Sequence, residues 1–177
     1  MTATELKRRA KTGDALLVKS ESAFGVLIRM LTGESTSHAA IVVWLYTGTT
    51  RLLLVYEFVE GIGHQVLPLE KWLSDRAGQK IEYGVAPEVV RQNPLPAETA
   101  AEAYTDASHF KKSYGYLSLI KVWISQLLRF RIPVRQKVCS TYVQEVWRCA
   151  GYDLIPYTAD PGDIAEHCQA RFPLWSV

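Results

Sequence analysis

The apolar pattern along the chain changes character at Pro87. Before it, short apolar runs bounded by turn residues read as strands over Ala15–Lys19, Ala39–Tyr46, Arg51–Val59, Gln65–Leu69 and Lys80–Ala86, the last strand expected. Gly13-Asp14, Thr47–Thr50 and Glu60–His64 supply turns between them. Residues 1–12 form a basic, partly helical lead-in, and Glu70–Leu73 a single helical turn. One early helix interrupts the strands: Ser20-Glu21-Ser22 has capping character ahead of Phe24, Val26, Leu27, Ile28 and Leu31, and Gly33 ends it. Beyond a connector from Pro87 to Pro96 the pattern is helical. Ala97–Lys112 is an alanine-rich helix with Ala100, Ala101, Ala103, Tyr104, Ala107 and Phe110 inward, and Leu117–Phe130 a mostly buried one. A third helix opens at Cys139, with Val143, Val146, Trp147 and Ala150 at the spacing of one buried face and Gly151 as its stop.

Strands first and helices after point to an α+β fold, a small antiparallel sheet or partly closed barrel packed against a helical bundle. The length of 177 residues fits a single domain with a full core.

Composition narrows the function. With 48% hydrophobic and 21% charged residues the chain is globular, and a net charge of +2 gives no case for nucleic acid. No apolar run is long enough to span a bilayer. The polar stretch from Met1 to Lys11 has no apolar core of a secretory signal, so the chain is expected to be cytoplasmic as synthesised, or released or delivered by other machinery. Three cysteines, an odd number, argue against a disulfide framework and fit a reducing compartment. The four histidines are scattered without metal-ligand spacing, so neither a metal nor another cofactor is expected.

The candidate chemistry centres on Cys139. In the first turn of a helix, unpaired N–H groups and the positive dipole end favour a thiolate, the reactive form of cysteine. A thiol nucleophile needs a base, and the base a group that orients it. His38, at a loop-to-strand junction, is the best base. Glu57 is a charge inside a nearly continuous apolar strand, sharing a face with Leu53, Val55 and Val59 on the strand expected to pair with that of His38. His64 reads as a turn residue at the surface, and His109 and His167 as solvent-side helix residues. Cys149 faces away from Cys139 and is expected to pack, whereas Cys168 lies in the tail without apparent partners. Ser140 is a weaker nucleophile than the thiol beside it. Ser37, Ser140, Tyr114 and Tyr116 are the candidate substrate-binding residues, with Trp123 beside the tyrosines. Arg129, Arg131, Arg135 and Lys137 precede the cysteine and either steer an anionic substrate, depress the thiol pKa or, as the default, form a solvated run.

Taken together, Gly13-Asp14-Ala15-Leu16-Leu17, Ser37-His38-Ala39-Ala40-Ile41-Val42, Glu57 and Cys139-Ser140-Thr141-Tyr142-Val143 resemble the circularly permuted branch of the NlpC-type papain-like cysteine peptidases. That branch includes YiiX-like bacterial proteins and is similar to the lecithin:retinol acyltransferase group. The resemblance spans about residues 13–165, with Tyr114-Gly115-Tyr116 and Thr158–Asp163 included. It implies a permuted papain-like fold with Cys139 as nucleophile, His38 as base and Glu57 as the orienting group. The acyltransferase relatives use a second histidine in the third role, and no histidine stands on the strand beside His38, which leaves His64 as the weak alternative. The resemblance implies hydrolysis of an amide in a peptidoglycan-type peptide or amino-acid conjugate through a thioester. The alternatives are a lipid acyltransferase or esterase, with Trp44, Trp72 and Trp175 as membrane-seeking aromatics, and a non-catalytic, virion-associated binding module.

Overall fold

The structure, a computed structural model, describes residues 1–19, 35–59, 62–103, 139–155 and 158–175. Six strands form one open antiparallel sheet: β1 (Ala15–Lys19), β2 (His38–Thr47), β3 (Thr50–Val59), β4 (Gly63–Pro68), β5 (Lys80–Val85) and β6 (Ala170–Leu174). Their order across the sheet is β4-β3-β2-β1-β5-β6. The sheet does not close, which decides between the two sheet forms expected. The fold is α+β.

The five expected strands form, and the sixth was not foreseen. β6 contains Pro173, which removes a ladder donor and reads against a strand, but β6 is an edge strand, where proline is tolerated. It pairs with β5, Tyr83 opposite Phe172. Pro173 O also accepts the Met1 amino group at 2.8 Å.

The described helices are α1 (Ala3–Arg9), α2 (Leu69–Ser74), α3 (Glu88–Gln92), α4 (Pro94–Glu102), α5 (Cys139–Cys149) and α6 (Pro161–Glu166). The expected connector from Pro87 to Pro96 is thus mostly helical. Pro87 and Pro94 sit at helix starts, where a missing N–H costs nothing. Ala101 is buried and Ala100 partly buried, as expected, and Ala97 is buried as well, but Ala103 is exposed at the end of α4. The expected helices over 24–31 and 117–130, and the end of the Ala97–Lys112 helix with Tyr104, Ala107, His109 and Phe110, lie outside the described residues.

The core has two layers because the central strands bury both faces. Ala15, Leu17, Ile41 and Val43 pack with Tyr142, Val143, Val146 and Trp147 of α5 on one face. Leu16, Val18, Ala40 and Val42 pack with Leu6 of α1 and Leu69 and Trp72 of α2 on the other. Burial on both sides explains why β2 reads as an unbroken apolar run rather than an alternating one.

Gly13 and Asp14 join the two layers. Gly13 has φ +97°, and a Cβ there would lie 2.5 Å from Val90 Cγ1, so both conformation and space call for glycine. Its carbonyl accepts from Trp147 Nε1 at 2.8 Å. The fully buried Asp14 carboxylate accepts from the N–H of Lys11 and Ala86 and from Tyr83 Oη, with Arg91 Nε 3.1 Å away.

α5 is built as its pattern predicts, with Val143, Val146, Trp147 and Ala150 buried. It ends in a Schellman arrangement: Tyr152 N–H donates to Trp147 O at 2.8 Å, Gly151 N–H donates to Arg148 O at 3.0 Å, and Gly151 has φ +97°. The Trp147 and Tyr152 rings close the motif edge to face, 5.9 Å apart. Gln144 ties the following segment to the helix, donating to Ile155 O and accepting from Ala159 N–H.

Candidate active site

β2 and β3 share a hairpin, with Ile41 opposite Tyr56, so the start of β2 lies beside the end of β3. His38 begins β2 and Glu57 lies near the end of β3. His38 Nε2 is 2.7 Å from Glu57 Oε2. The register that the sequence leaves open is therefore the one that joins them. Strand alternation places Glu57 on the face of Leu53 and Val55, the face covered by α1 and α2.

Cys139 arrives from the other face, as the first residue of α5, whose apolar side packs on β2 and β3. Its side chain comes near enough to His38 for its charge and hydrogen-bonding to raise the imidazole pKa. With Nε2 engaged by Glu57, the nitrogen left for the thiol is Nδ1. The imidazole thus stands between a thiol carried by α5 and a carboxylate carried by β3.

Glu57 is fully buried and four-fold held. Besides His38, it accepts from Gln65 Nε2 at 2.5 Å and from Arg76 Nη2, which is 2.8 Å from each carboxylate oxygen. Burial alone would raise its pKa, but the hydrogen bond and charge of His38, then the charge of Arg76, outweigh it and bring the carboxyl down to about 2. For His38, burial pulls the pKa down, yet the Cys139 thiolate and then Glu57 lift it to about 9, from an ordinary 6.5. Glu57 is a carboxylate at neutral pH, and His38 holds its proton wherever Cys139 is ionised.

Gln65 and Arg76 were not anticipated. Gln65 lies directly opposite Glu57 across the β3–β4 pair. Gln65 stands in the strand expected there, and only the register shows that it faces Glu57. Arg76 follows α2 in a turn, and only the docking of α2 under the sheet brings it to Glu57.

The other candidates fall elsewhere. Ser37 and Ser140 are 2% and 1% exposed, and Ser37 Oγ donates to Val18 O at 3.1 Å, pinning the entry to β2. Tyr114, Tyr116, Trp123, Arg129, Arg131, Arg135 and Lys137 lie outside the described residues. His64 is not a surface turn residue. It stands in β4, half-buried among Tyr56, Phe58 and Tyr142, with Nε2 3.4 Å from Tyr142 Oη, and burial lowers its pKa to about 4. His167 is also half-buried, its Nδ1 2.6 Å from Tyr152 Oη. Cys149 is exposed rather than packed. Cys168 does have partners: Sγ lies 3.2 Å from Ile164 O and against Gly84, and burial pushes its thiol up to about 12. Of the three tryptophans considered for a membrane, Trp44 and Trp72 are buried and Trp175 is exposed. No helix among the described residues is long and apolar enough to cross a membrane.

No protein-family model matches the chain, and no curated protein matches it. A solved structure does: the crystal structure of the metalloprotein YiiX from Escherichia coli O157:H7 superposes with a TM-score of 0.53 at 19% identity, over 81% of this chain and 67% of that one. At this identity the likeness is one of fold, and it agrees with the YiiX-like part of the sequence resemblance. The chain shares its α+β architecture with YiiX.

Proposed function

We propose that this chain is a thiol hydrolase of permuted papain-like type, cleaving an amide bond in a peptidoglycan-type peptide or amino-acid conjugate. One observation carries the reading: His38 stands between the Cys139 thiol and the Glu57 carboxylate, the order that nucleophilic catalysis requires. Glu57 fixes the ring and stabilises its protonated form, and the imidazolium in turn stabilises the thiolate.

In the reaction, Cys139 Sγ attacks the carbonyl carbon and the negative charge moves to the carbonyl oxygen. Backbone N–H groups of the first turn of α5 would receive that charge. As the tetrahedral species collapses, the C–N bond breaks and His38 gives its proton to the departing amine. The acyl group stays on sulfur as a thioester. His38, now neutral, takes a proton from water, whose oxygen attacks the thioester and releases the acid and the thiolate. Cys139 is only 2% exposed, so substrate entry requires a neighbouring group to move aside.

The fold relation to a metalloprotein raises the question of an ion at this position. The residues do not fit one. Among the described residues no three His, Cys, Asp or Glu side chains are grouped to hold a metal, and the Glu57 oxygens already face Arg76 and Gln65.

The test is alkylation by iodoacetamide, a reagent small enough for a buried thiol, followed peptide by peptide across pH. Cys139 is expected to react well below the ordinary thiol pKa of about 8.5, with the signal absent in Cys139→Ala and its pH midpoint raised in His38→Ala. Cys149, an exposed thiol, serves as the comparison in the same sample. Cys139 reacting like Cys149 and indifferent to His38 would leave a binding module on this fold. With an activated thiol in hand, cell-wall peptides, amino-acid conjugates and lipid esters separate amide hydrolysis from the acyltransferase alternative.

A further inference from the structure

Two groups suffice to orient an imidazole, yet Glu57 is held by two more donors. We propose that Arg76, seated on Trp72, is a positioning residue that keeps the Cys139–His38 pair charge-separated and reactive, with Gln65 fixing the carboxylate beside it. The proposal rests on the nucleophile–base reading of Cys139 and His38.

Arg76 is itself anchored. Its guanidinium carbon lies 4.2 Å from the centre of the fully buried Trp72 ring, its Nη1 is 3.5 Å from Trp72 O, and its side chain is 14% exposed. One nitrogen, Nη2, reaches both oxygens of Glu57 at 2.8 Å. The charges then alternate through the site: thiolate, imidazolium, carboxylate, guanidinium. Their sum is zero. Without Arg76 the site carries a buried net negative charge, and protonating the thiolate is the direct way to relieve it. Arg76 thus acts on Cys139 through Glu57 and His38, touching neither sulfur nor substrate. Among the described residues, the charged and titratable groups facing His38 and Glu57 are Cys139 from α5, Arg76 from the turn after α2 and, at longer range, His64 from β4, which burial keeps neutral near pH 7.

The experiment measures the iodoacetamide rate at Cys139 from acid to alkaline pH in the wild type and in Arg76→Gln, Arg76→Lys and Gln65→Leu, with circular dichroism melts to verify folding. In Arg76→Gln the acid limb of the profile is expected to move up by about one pH unit or more, slowing reaction about tenfold at a fixed pH below the limb. Arg76→Lys restores the charge without the two-oxygen geometry and is expected to recover most of the shift. Gln65→Leu removes a neutral donor to Glu57 and is expected to move the limb the same way by less. A purely structural role predicts slower reaction at every pH with the limb unmoved, and that result in folded Arg76→Gln overturns the proposal. Should Arg76→Gln fail to fold, an unmoved limb in Gln65→Leu overturns it instead. The two readings fail separately: a wild type with no acid-shifted limb removes the nucleophile, whereas an intact wild-type limb with unmoved variants removes only the role of Arg76.

Discussion

Glu57 shows how a residue that is costly by itself becomes the anchor of a site. A buried carboxylate without partners would be neutralised, but this one has four contacts with three donor groups, two of them cationic when His38 is protonated. Because its folded pKa lies near 2 rather than 4.5, the stability it contributes is present above pH 4.5 and is lost as pH falls through 2. His38 runs the opposite way: with its pKa raised to about 9, its contribution is complete below pH 6.5 and is lost as pH rises through 9. Glu57→Gln keeps the shape and removes the charge, so the His38 titration midpoint, read by imidazole NMR, is expected to fall below 9. Glu57→Ala leaves Arg76 without its buried counter-charge and is expected to cost about 3–5 kcal/mol in urea unfolding.

At the scale of elements, α5 carries the thiol and its C-terminal end sets how the helix lies on the sheet. Its last turn is fixed by the Schellman bonds at Gly151, the Trp147–Tyr152 ring pair and the Trp147 bond to Gly13 O, 134 residues away in sequence. Gly151→Ala forces an L side chain into φ +97° and sets its Cβ 3.4 Å from Val89 Cγ2. The expected loss is about 1 kcal/mol or slightly more, measured as a lower urea midpoint at unchanged slope. Since Cys139 lies about three turns from that cap, its alkylation profile should keep its acid limb in the folded variant. β6 teaches a different lesson about elements. Pro173 is disqualifying in a central strand and harmless at an edge, so the same residue type has opposite meanings according to a position that local sequence does not state.

For the molecule as a whole, a sheet covered on both faces brings groups of opposite character to its rim. His64 belongs to that whole-molecule balance, being wedged between β3 and α5 with Tyr142 Oη donating onward to Ala101 O at 3.0 Å. Its pKa is lowered to about 4, so the stability of its neutral form is present above pH 6.5 and is lost as pH falls through 4. Melting temperature should therefore decline in two overlapping acid steps, one between pH 6.5 and 4 from His64 and one between 4.5 and 2 from Glu57. His64→Gln is expected to flatten the first and spare the second, with differential scanning calorimetry as the readout.

The amino-acid sequence by itself determined the five strands before Pro87, the buried face of α5 and the α+β class, because apolar period and turn residues are local signals that tertiary context reinforced. It also singled out Cys139, His38 and Glu57, each through a local oddity: a thiol in a helix's first turn, a histidine at a strand entrance, a charge in an apolar run. Tertiary structure alone decided whether these three meet. The strand register brought Glu57 to His38, and the packing of α5 brought Cys139 to the ring, and neither is encoded in spacing, since a one-residue slip would reverse every side chain. Arg76, His64 and β6 were beyond reach for the same reason. Arg76 looks like any surface arginine, His64 like any turn histidine and Pro173 like a strand breaker, until docking across the sheet decides what each one faces and whether water can reach it.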